Sequence, residues 1–205
     1  MSKEKNIINE ARKLVFRQLQ DEPSGHDYEH VARVVFMAKK LATHYPLSKQ
    51  QKFILELSAW LHDLDDRKLE KKTDDLTVPN FLCEHFLDKK IINEILEIIK
   101  NISYQASLSG AKQTTIVGKI VQDADRLDAL GVIGVARAFA YGGSKKRPMR
   151  ESLAHFEEKL LKLLPLFNLP ETAEIAQKRH RDLQEFYRKY NEENQYEEYD
   201  LLDEN

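Results

Sequence analysis

The sequence predicts an all-α protein built as a single domain. Its 205 residues include only seven glycines and six prolines, which leaves room for long helices. Apolar residues recur with the spacing of amphipathic helices, and alternating strand-like patterns do not recur. A chain of this length is typical of one domain. We therefore expect a bundle of about eight or nine helices over residues 1–192, followed by an acidic tail at 193–205 that we expect to be flexible.

The first three predicted helices have recognisable boundaries. The first covers residues 4–20. The second covers about 25–45, starts at a Ser24–Asp27 pair that fits a capping box, and ends at Pro46. The third opens with a similar pair, Ser48 and Gln51, and continues as FILELSAWLHDLDD. Because that segment is apolar on most of its faces, we expect the third helix to be central and buried.

Polar or glycine-containing stretches separate the remaining helices. Residues 67–77, the residues up to Lys112 and the stretch YGGSKKRPM at 141–149 are predicted as loops. Gly131 is the expected C-cap of the helix that carries IVGKIVQDADRLDAL. The predicted helices of this half cover residues 79–88, 90–103, 114–130, 131–141, 151–164 and 170–192.

Composition and charge exclude several classes of protein. The net charge of −2 and the pI of about 6.4 give no basic footprint, so nucleic acid is not a favoured partner. The apolar runs are too short to span a membrane, and MSKEKNIINEARKLV predicts a charged amphipathic helix rather than a signal peptide. One cysteine, Cys83, cannot form an internal disulfide or a cysteine-rich zinc site. We therefore expect a cytoplasmic protein.

Two His-Asp dipeptides are candidates for a metal-binding site. His62 and Asp63 end the most apolar helix, where a charged carboxylate is costly unless it is paired or bound to a metal. The alternative is a hydrogen-bonded histidine at a helix end beside a solvated aspartate. In SGHDYEHVARV, His26 and His30 lie one helical turn apart on a polar stripe. Asp27 is expected to cap this helix, which leaves His30 free to point at a neighbouring helix.

A third acidic element is QDADRLDAL, which contains Asp123, Asp125 and Asp128 within six residues. Three carboxylates beside apolar side chains are more than a solvated helix face requires. Helical projection does not choose among them, so the residues alone leave open which aspartate serves the site.

The ordered pattern H…HD…D on separate helices resembles the HD superfamily of metal-dependent phosphohydrolases. The matching segments are HDYEHVARV, WLHDLDD and ADRLDAL, and the flanking GHDxxHxxRV, YGG and HFEEKLLKL resemble a small stand-alone bacterial branch of it. The resemblance covers roughly residues 5–190. It implies that the metal ligands are His30, His62, Asp63 and Asp125.

The resemblance also implies a cofactor and further site residues. Two imidazoles and two carboxylates suit one divalent ion, with Mn²⁺ first and Fe²⁺, Ni²⁺, Zn²⁺ or Mg²⁺ as alternatives. One ion is favoured because only His85 lies between the His-Asp pair and the last aspartate. Asp66 is the candidate general base or water-orienting group, or else a helix-end charge, and Lys68 is a candidate for charge stabilisation, or else a loop lysine. The candidate substrate-binding residues are His26, Arg33, Arg137, Lys145, Lys146 and Arg147, of which the last three lie on a predicted mobile lid or a plain surface turn.

The function implied is hydrolysis of nucleotides, with (deoxy)nucleoside triphosphates and pyrophosphate release as the first choice. A nucleoside monophosphate phosphatase is the nearest alternative. An alarmone hydrolase is less favoured, because the acidic pair expected after the His-Asp pair is interrupted by Arg67. Outside the enzymes, a metal-dependent nucleotide sensor or a scaffold acting through the acidic tail stay open. The expected partner is a small nucleotide, with a homodimer as one option.

Overall fold

A computed structural model describes residues 2–65 and 77–194 of the chain. These ranges contain ten α-helices and three short 3₁₀ turns, and no strand. The α-helices are α1 Lys3–Leu19, α2 Tyr28–Ala42, α3 Lys49–Leu61, α4 Thr77–Glu84, α5 Lys89–Lys100, α6 Tyr104–Leu108, α7 Ile116–Asp128, α8 Gly131–Ser144, α9 Met149–Glu158 and α10 Ala173–Glu193. The predicted all-α fold is confirmed.

The third helix is the centre of the bundle, as its apolar sequence predicts. α3 packs against α1, α2, α5 and α7, and it buries nearly every residue from Phe53 to Leu61. Ser48 and Gln51 form the predicted capping box at its N-terminus. The second helix, α2, packs along α7, so α2, α3 and α7 form the part of the core that carries the polar motifs. No helix in the described ranges is long and apolar enough to cross a membrane.

The start of α2 differs from the prediction. The helix begins at Tyr28, and its N-cap is Asp27, whose carboxylate accepts the backbone N–H of His30 at 2.7 Å. Ser24 lies three residues earlier, buried, and its hydroxyl has no partner within the described ranges. The Ser24–Asp27 capping box is therefore wrong, whereas the capping role of Asp27 is confirmed. A carboxylate one residue before the helix satisfies an orphan N–H directly, so no residue further upstream is required.

Three other helices also differ from the prediction. α6 lies within a segment predicted as a loop. α4 is helical from Thr77, two residues before the predicted start, and both carboxylate oxygens of Asp65 accept backbone N–H groups of Thr77 and Val78. The last predicted helix before Pro170 is shorter, since α9 ends at Glu158 and 3₁₀ turns follow.

The glycines of YGGS are helical rather than part of a loop. α8 continues to Ser144, and only the residues from Lys145 to Pro148 form the turn before α9. Gly142 is buried against α9, where an added Cβ would lie 1.9 Å from Oγ of Ser152. This glycine therefore permits close helix packing, and the prediction that it belongs to a mobile loop is wrong.

Candidate metal centre

The polar ends of α2, α3 and α7 meet in one buried cluster. His30 is on the first turn of α2, His62 and Asp63 directly follow α3, and Asp125 is on α7. Nε2 of His30 lies 3.3 Å from Nε2 of His62, 3.2 Å from Oδ2 of Asp63 and 3.5 Å from Oδ1 of Asp125. His30, His62 and Asp63 are buried, while the Asp125 side chain is 26% exposed. The structure thus brings the four predicted ligands together.

Hydrogen bonds on the far side of each ring fix the two histidines. Nδ1 of His62 donates to the backbone carbonyl of Ala59 at 2.9 Å, and Nδ1 of His30 donates to Oδ2 of Asp128 at 2.7 Å. When Nδ1 carries the proton of a neutral imidazole, Nε2 carries a lone pair. When both rings are neutral, the two Nε2 atoms that face each other at 3.3 Å are therefore both acceptors.

This donor set fits a divalent cation. Two imidazole nitrogens lie 3.2–3.8 Å from oxygens of two carboxylates, and such an arrangement of acceptors repels itself unless a cation or a proton lies between its members. His30, His62 and Asp125 each offer an atom within 4.8 Å of the others, and so do His26, His30 and Asp63. Two nitrogens with two or more oxygens suit borderline metals such as Mn²⁺, Fe²⁺ or Zn²⁺.

The charge states of the cluster favour cation binding. Burial alone would raise the pKa of Asp63, but the charges of His62 and His26 and the hydrogen bonds from His26 and His30 hold it well below its usual range. Burial and the charge of Arg137 lower the pKa of His30, but its hydrogen bonds to Asp128 and Asp63 outweigh them and raise it. A proton and a metal ion therefore compete for His30, whereas Asp63 stays ionised.

Asp128 holds His30 from the side of the ring opposite the cluster. In addition to His30, it accepts Nε and Nη2 of Arg33 at 2.8 and 3.0 Å. Arg137 places Nη1 3.4 Å from the Asp128 carboxylate and donates from Nε to the carbonyl of Gly25 at 2.7 Å. Burial raises the pKa of Asp128, but the bond from His30 and the two guanidinium groups lower it far more, so it stays ionised.

The two arginines predicted to bind substrate are therefore engaged with Asp128. Arg137 also connects α8 to the backbone at Gly25, directly before His26. Gly25 has a φ of +75°, and an added Cβ there would lie 3.2 Å from the Arg137 side chain. The observed contacts give both arginines a positioning role, and their contact with substrate stays a prediction.

A second set of contacts leads from the cluster toward the basic turn after α8. Nδ1 of His26 donates to Oδ2 of Asp63 at 2.8 Å, and the His26 ring lies edge-to-face against Tyr141, with centroids 6.3 Å apart. The guanidinium carbon of Arg147 lies 5.2 Å from the centroid of the Tyr141 ring. His26 thus contacts the centre directly, and Arg147 is connected to the centre through Tyr141 and His26. Lys145 is half-buried in the same turn and Lys146 is exposed.

The remaining aspartate of α7, Asp123, has a structural role. Asp123 is fully buried, and its carboxylate accepts the backbone N–H groups of Asn168 and Leu169 and the hydroxyl of Thr172. It therefore fixes the segment that precedes α10.

These observations are matched by comparison with known proteins. An HD domain model matches residues 27–130, a range that contains all four candidate ligands. The chain belongs to the HD domain family. It is 37% identical to YpgQ of Bacillus subtilis over 91% of this chain and 93% of YpgQ.

Solved structures of this family share the whole fold. The crystal structure of Bacillus subtilis YpgQ in complex with ADP covers 94% of this chain and 97% of its own, with a TM-score of 0.75 and 32% identity. A protein from Bacillus thuringiensis described as an HD-superfamily hydrolase covers 93% and 97%, with a TM-score of 0.67 and 35% identity. The resemblance to small stand-alone HD proteins is confirmed.

Three residues singled out in the sequence of this HD domain are not part of the cluster described above. Asp66 and Lys68 lie outside the described residues. His85 packs on Phe81 with ring centroids 4.3 Å apart and belongs to neither ligand group found in the described ranges. The sequence does not single out Tyr141 as a site residue, and it leaves the role of Asp128 open. The i, i+3 spacing of Asp125 and Asp128 is the signal that could have indicated a shared neighbour.

Proposed function

We propose that this protein is a metal-dependent phosphohydrolase of nucleotides, with (deoxy)nucleoside triphosphates as substrates and pyrophosphate as a product. The observation that carries the proposal is the pair of facing Nε2 atoms, 3.3 Å apart, which the hydrogen bonds behind their rings leave as acceptors when the rings are neutral. A bound divalent ion, with Mn²⁺ as our first choice, supplies Lewis acidity toward a phosphoryl oxygen and toward water. His30, His62, Asp63 and Asp125 would hold it.

The residues around the centre prepare it for an anionic substrate. Asp128 keeps His30 in the tautomer that presents Nε2, as carboxylates commonly do for metal-ligating histidines. The guanidinium groups of Arg33 and Arg137 bring two positive charges to this one carboxylate. Together with a bound divalent ion, these guanidinium groups would favour a phosphate group nearby.

A substrate longer than a single phosphate fits the arrangement of the basic groups. Arg147 is separated from the metal cluster by His26 and Tyr141, so a cation lies at a distance from the reacting centre. We assign Arg147, Lys145 and Lys146 to the phosphates remote from the metal. Arg137 lies closer and would act mainly by its charge. This arrangement supports a polyphosphate over a monophosphate.

The catalytic assignments of Asp66 and Lys68 rest on the resemblance of the segment after His62–Asp63 to related hydrolases. We assign Asp66 to orienting the attacking water and Lys68 to stabilising developing charge. The crystal structure of YpgQ with ADP supports nucleotides as the ligand class. A nucleotide hydrolase of this kind is expected in the cytoplasm.

The test is a nucleotide screen with Mn²⁺ in which pyrophosphate and orthophosphate are measured separately. Pyrophosphate from triphosphates is the expected result. Orthophosphate from monophosphates would support a phosphatase instead, and nucleotide binding without turnover would support a sensor. Asp63→Ala should abolish turnover and metal retention, whereas Asp182→Ala, at an exposed position of α10, should change neither. Full activity of Asp63→Ala would contradict the site assignment.

A further inference from the structure

A shallow groove runs along the outer face of α1 to the first residue of α2. It has a volume of about 620 Å³, which is within the range of small-molecule sites, and its walls include Arg12, Lys13, Phe16, Arg17 and Tyr28. None of the residues that line it belongs to the candidate metal cluster. The groove is therefore a separate feature of the molecule.

Aromatic rings form one wall of the groove. Phe16 is 47% exposed, and its ring lies edge-to-face against Tyr28 with centroids 5.1 Å apart. Tyr28 stacks on Trp60 at 5.9 Å, and its hydroxyl accepts Nε of Arg12 at 2.9 Å. These contacts hold Phe16 and Tyr28 in place, so the wall offers an aromatic surface that is ordered before any ligand arrives.

The charges at the groove are predominantly positive. The groove is lined by three cationic side chains, Arg12, Lys13 and Arg17, and by one acidic side chain, Glu10. The carboxylate of Glu10 pairs with Nζ of Lys13 at 3.0 Å. In the part of the chain that the structure describes, Arg17 has no ion-pair partner, and the only bond of the Arg12 guanidinium goes to the neutral Tyr28. Two guanidinium groups beside an exposed phenyl ring match a ligand with an aromatic ring and an anionic group.

We propose that this groove is a second nucleotide site, in which the base stacks on Phe16 and the phosphates contact Arg12 and Arg17. The choice of a nucleoside phosphate among aromatic anions rests on the proposed function, whose substrates and products are of this class. The site is distinct from the metal centre, because Tyr28 packs toward α1 whereas His30 packs toward α7. It places a ligand beside Tyr28, whose ring stacks on the buried Trp60. Tyr28 and Trp60 lie two residues before the candidate metal ligands His30 and His62, respectively.

The groove can be tested with the metal centre disabled. ADP is titrated into the full-length protein in EDTA, by calorimetry and by the fluorescence of Trp60, the single tryptophan of the chain. We expect one ADP per chain and a change in Trp60 emission. Phe16→Ala should weaken ADP binding by about fivefold to more than a hundredfold, the range for losing one base–aromatic stack. Arg17→Glu should also weaken it, and more so at low salt.

Phe36→Ala is the matched control, because Phe36 is 68% exposed on α2 and does not line the groove. It should bind ADP like the wild type, and thermal unfolding should show that all three variants are folded. Equal ADP affinity in Phe16→Ala and wild type overturns the proposal, as does a lack of binding in EDTA. ADP binding that depends on Phe16 stands even if no nucleotide is turned over, so the two proposals fail separately.

Discussion

Replacing Asp128 with asparagine removes one negative charge from behind His30 while it keeps the shape of the side chain. The carboxylate now accepts Nδ1–H of His30 at 2.7 Å and two guanidinium N–H groups of Arg33 at 2.8 and 3.0 Å. An amide has only one acceptor oxygen, so at least one of these three hydrogen bonds is lost, because the NH₂ group faces a donor in either orientation. The loss of the charge also weakens the hydrogen bond that remains.

The expected result is a loss of metal affinity. Removing a group that orients a metal-bound histidine typically costs 10- to 100-fold in affinity, or about 1.4–2.7 kcal/mol. The assay is a calorimetric titration of chelator-stripped protein with Mn²⁺ at neutral pH. The free energy of unfolding should fall by about 1–3 kcal/mol as well, because a buried donor loses its acceptor. Unfolding is therefore measured on the same samples.

Asp123→Asn is the control for this effect. Asp123 is also a buried aspartate of α7, but its carboxylate binds Asn168, Leu169 and Thr172 instead of a histidine. It should lower the free energy of unfolding but leave Mn²⁺ affinity within a fewfold of the wild type. Wild-type Mn²⁺ affinity in Asp128→Asn would refute the positioning role. Equal losses of affinity in both variants would assign the effect to stability alone.

Three further predictions concern the metal, the helix packing and the substrate. Mn²⁺ at a hundredfold excess over its Kd should stabilise the protein by about 2.7 kcal/mol, or roughly 5–11 °C in Tm, and Asp125→Ala should abolish this shift. Gly142→Ala should destabilise the fold by about 1–3 kcal/mol, because its Cβ would overlap Ser152, whereas Gly143→Ala, with nothing within 4 Å, should not, as thermal unfolding will show. Tyr141→Ala should raise KM for a nucleoside triphosphate without changing Mn²⁺ affinity, and Tyr141→Phe should resemble the wild type, since the ring makes the contacts with His26 and Arg147. An unchanged KM in Tyr141→Ala would contradict the path toward Arg147.

Local patterns predicted the features that local chemistry determines. The capping box of Ser48 and Gln51 and the burial of α3 follow from residue order and apolar content, and both are present in the structure. The proximity of the four candidate ligands was expected from the resemblance to HD proteins and not from spacing. Residues on three helices far apart in sequence meet only through packing, which no local pattern reports.

The two local predictions that were wrong, the glycine loop and the Ser24–Asp27 capping box, failed for the same reason. Adjacent glycines favour a loop in isolation, but in α8 the first of them faces Ser152 closely and the helix continues through both. Ser24 and Asp27 both favour N-caps, and only the backbone path shows that the second of them is used. In each case a tertiary contact or the exact entry of the chain decided between local alternatives.

The aspartates of α7 show how spacing and packing combine. A helix turns by about 100° per residue, so Asp125 and Asp128 lie about 60° apart while Asp123 lies about 140° or more from each. The first two can therefore face α2 together, and they approach the same ring from opposite sides: Asp125 lies 3.5 Å from Nε2 of His30 and Asp128 lies 2.7 Å from Nδ1. The i, i+3 spacing thus places one carboxylate toward the candidate metal position and the other on the Nδ1 atom, whose hydrogen bond sets the tautomer of His30. Moving either aspartate by one position would turn its carboxylate by about 100° around the helix, away from His30, so both contacts depend on the order D-x-x-D.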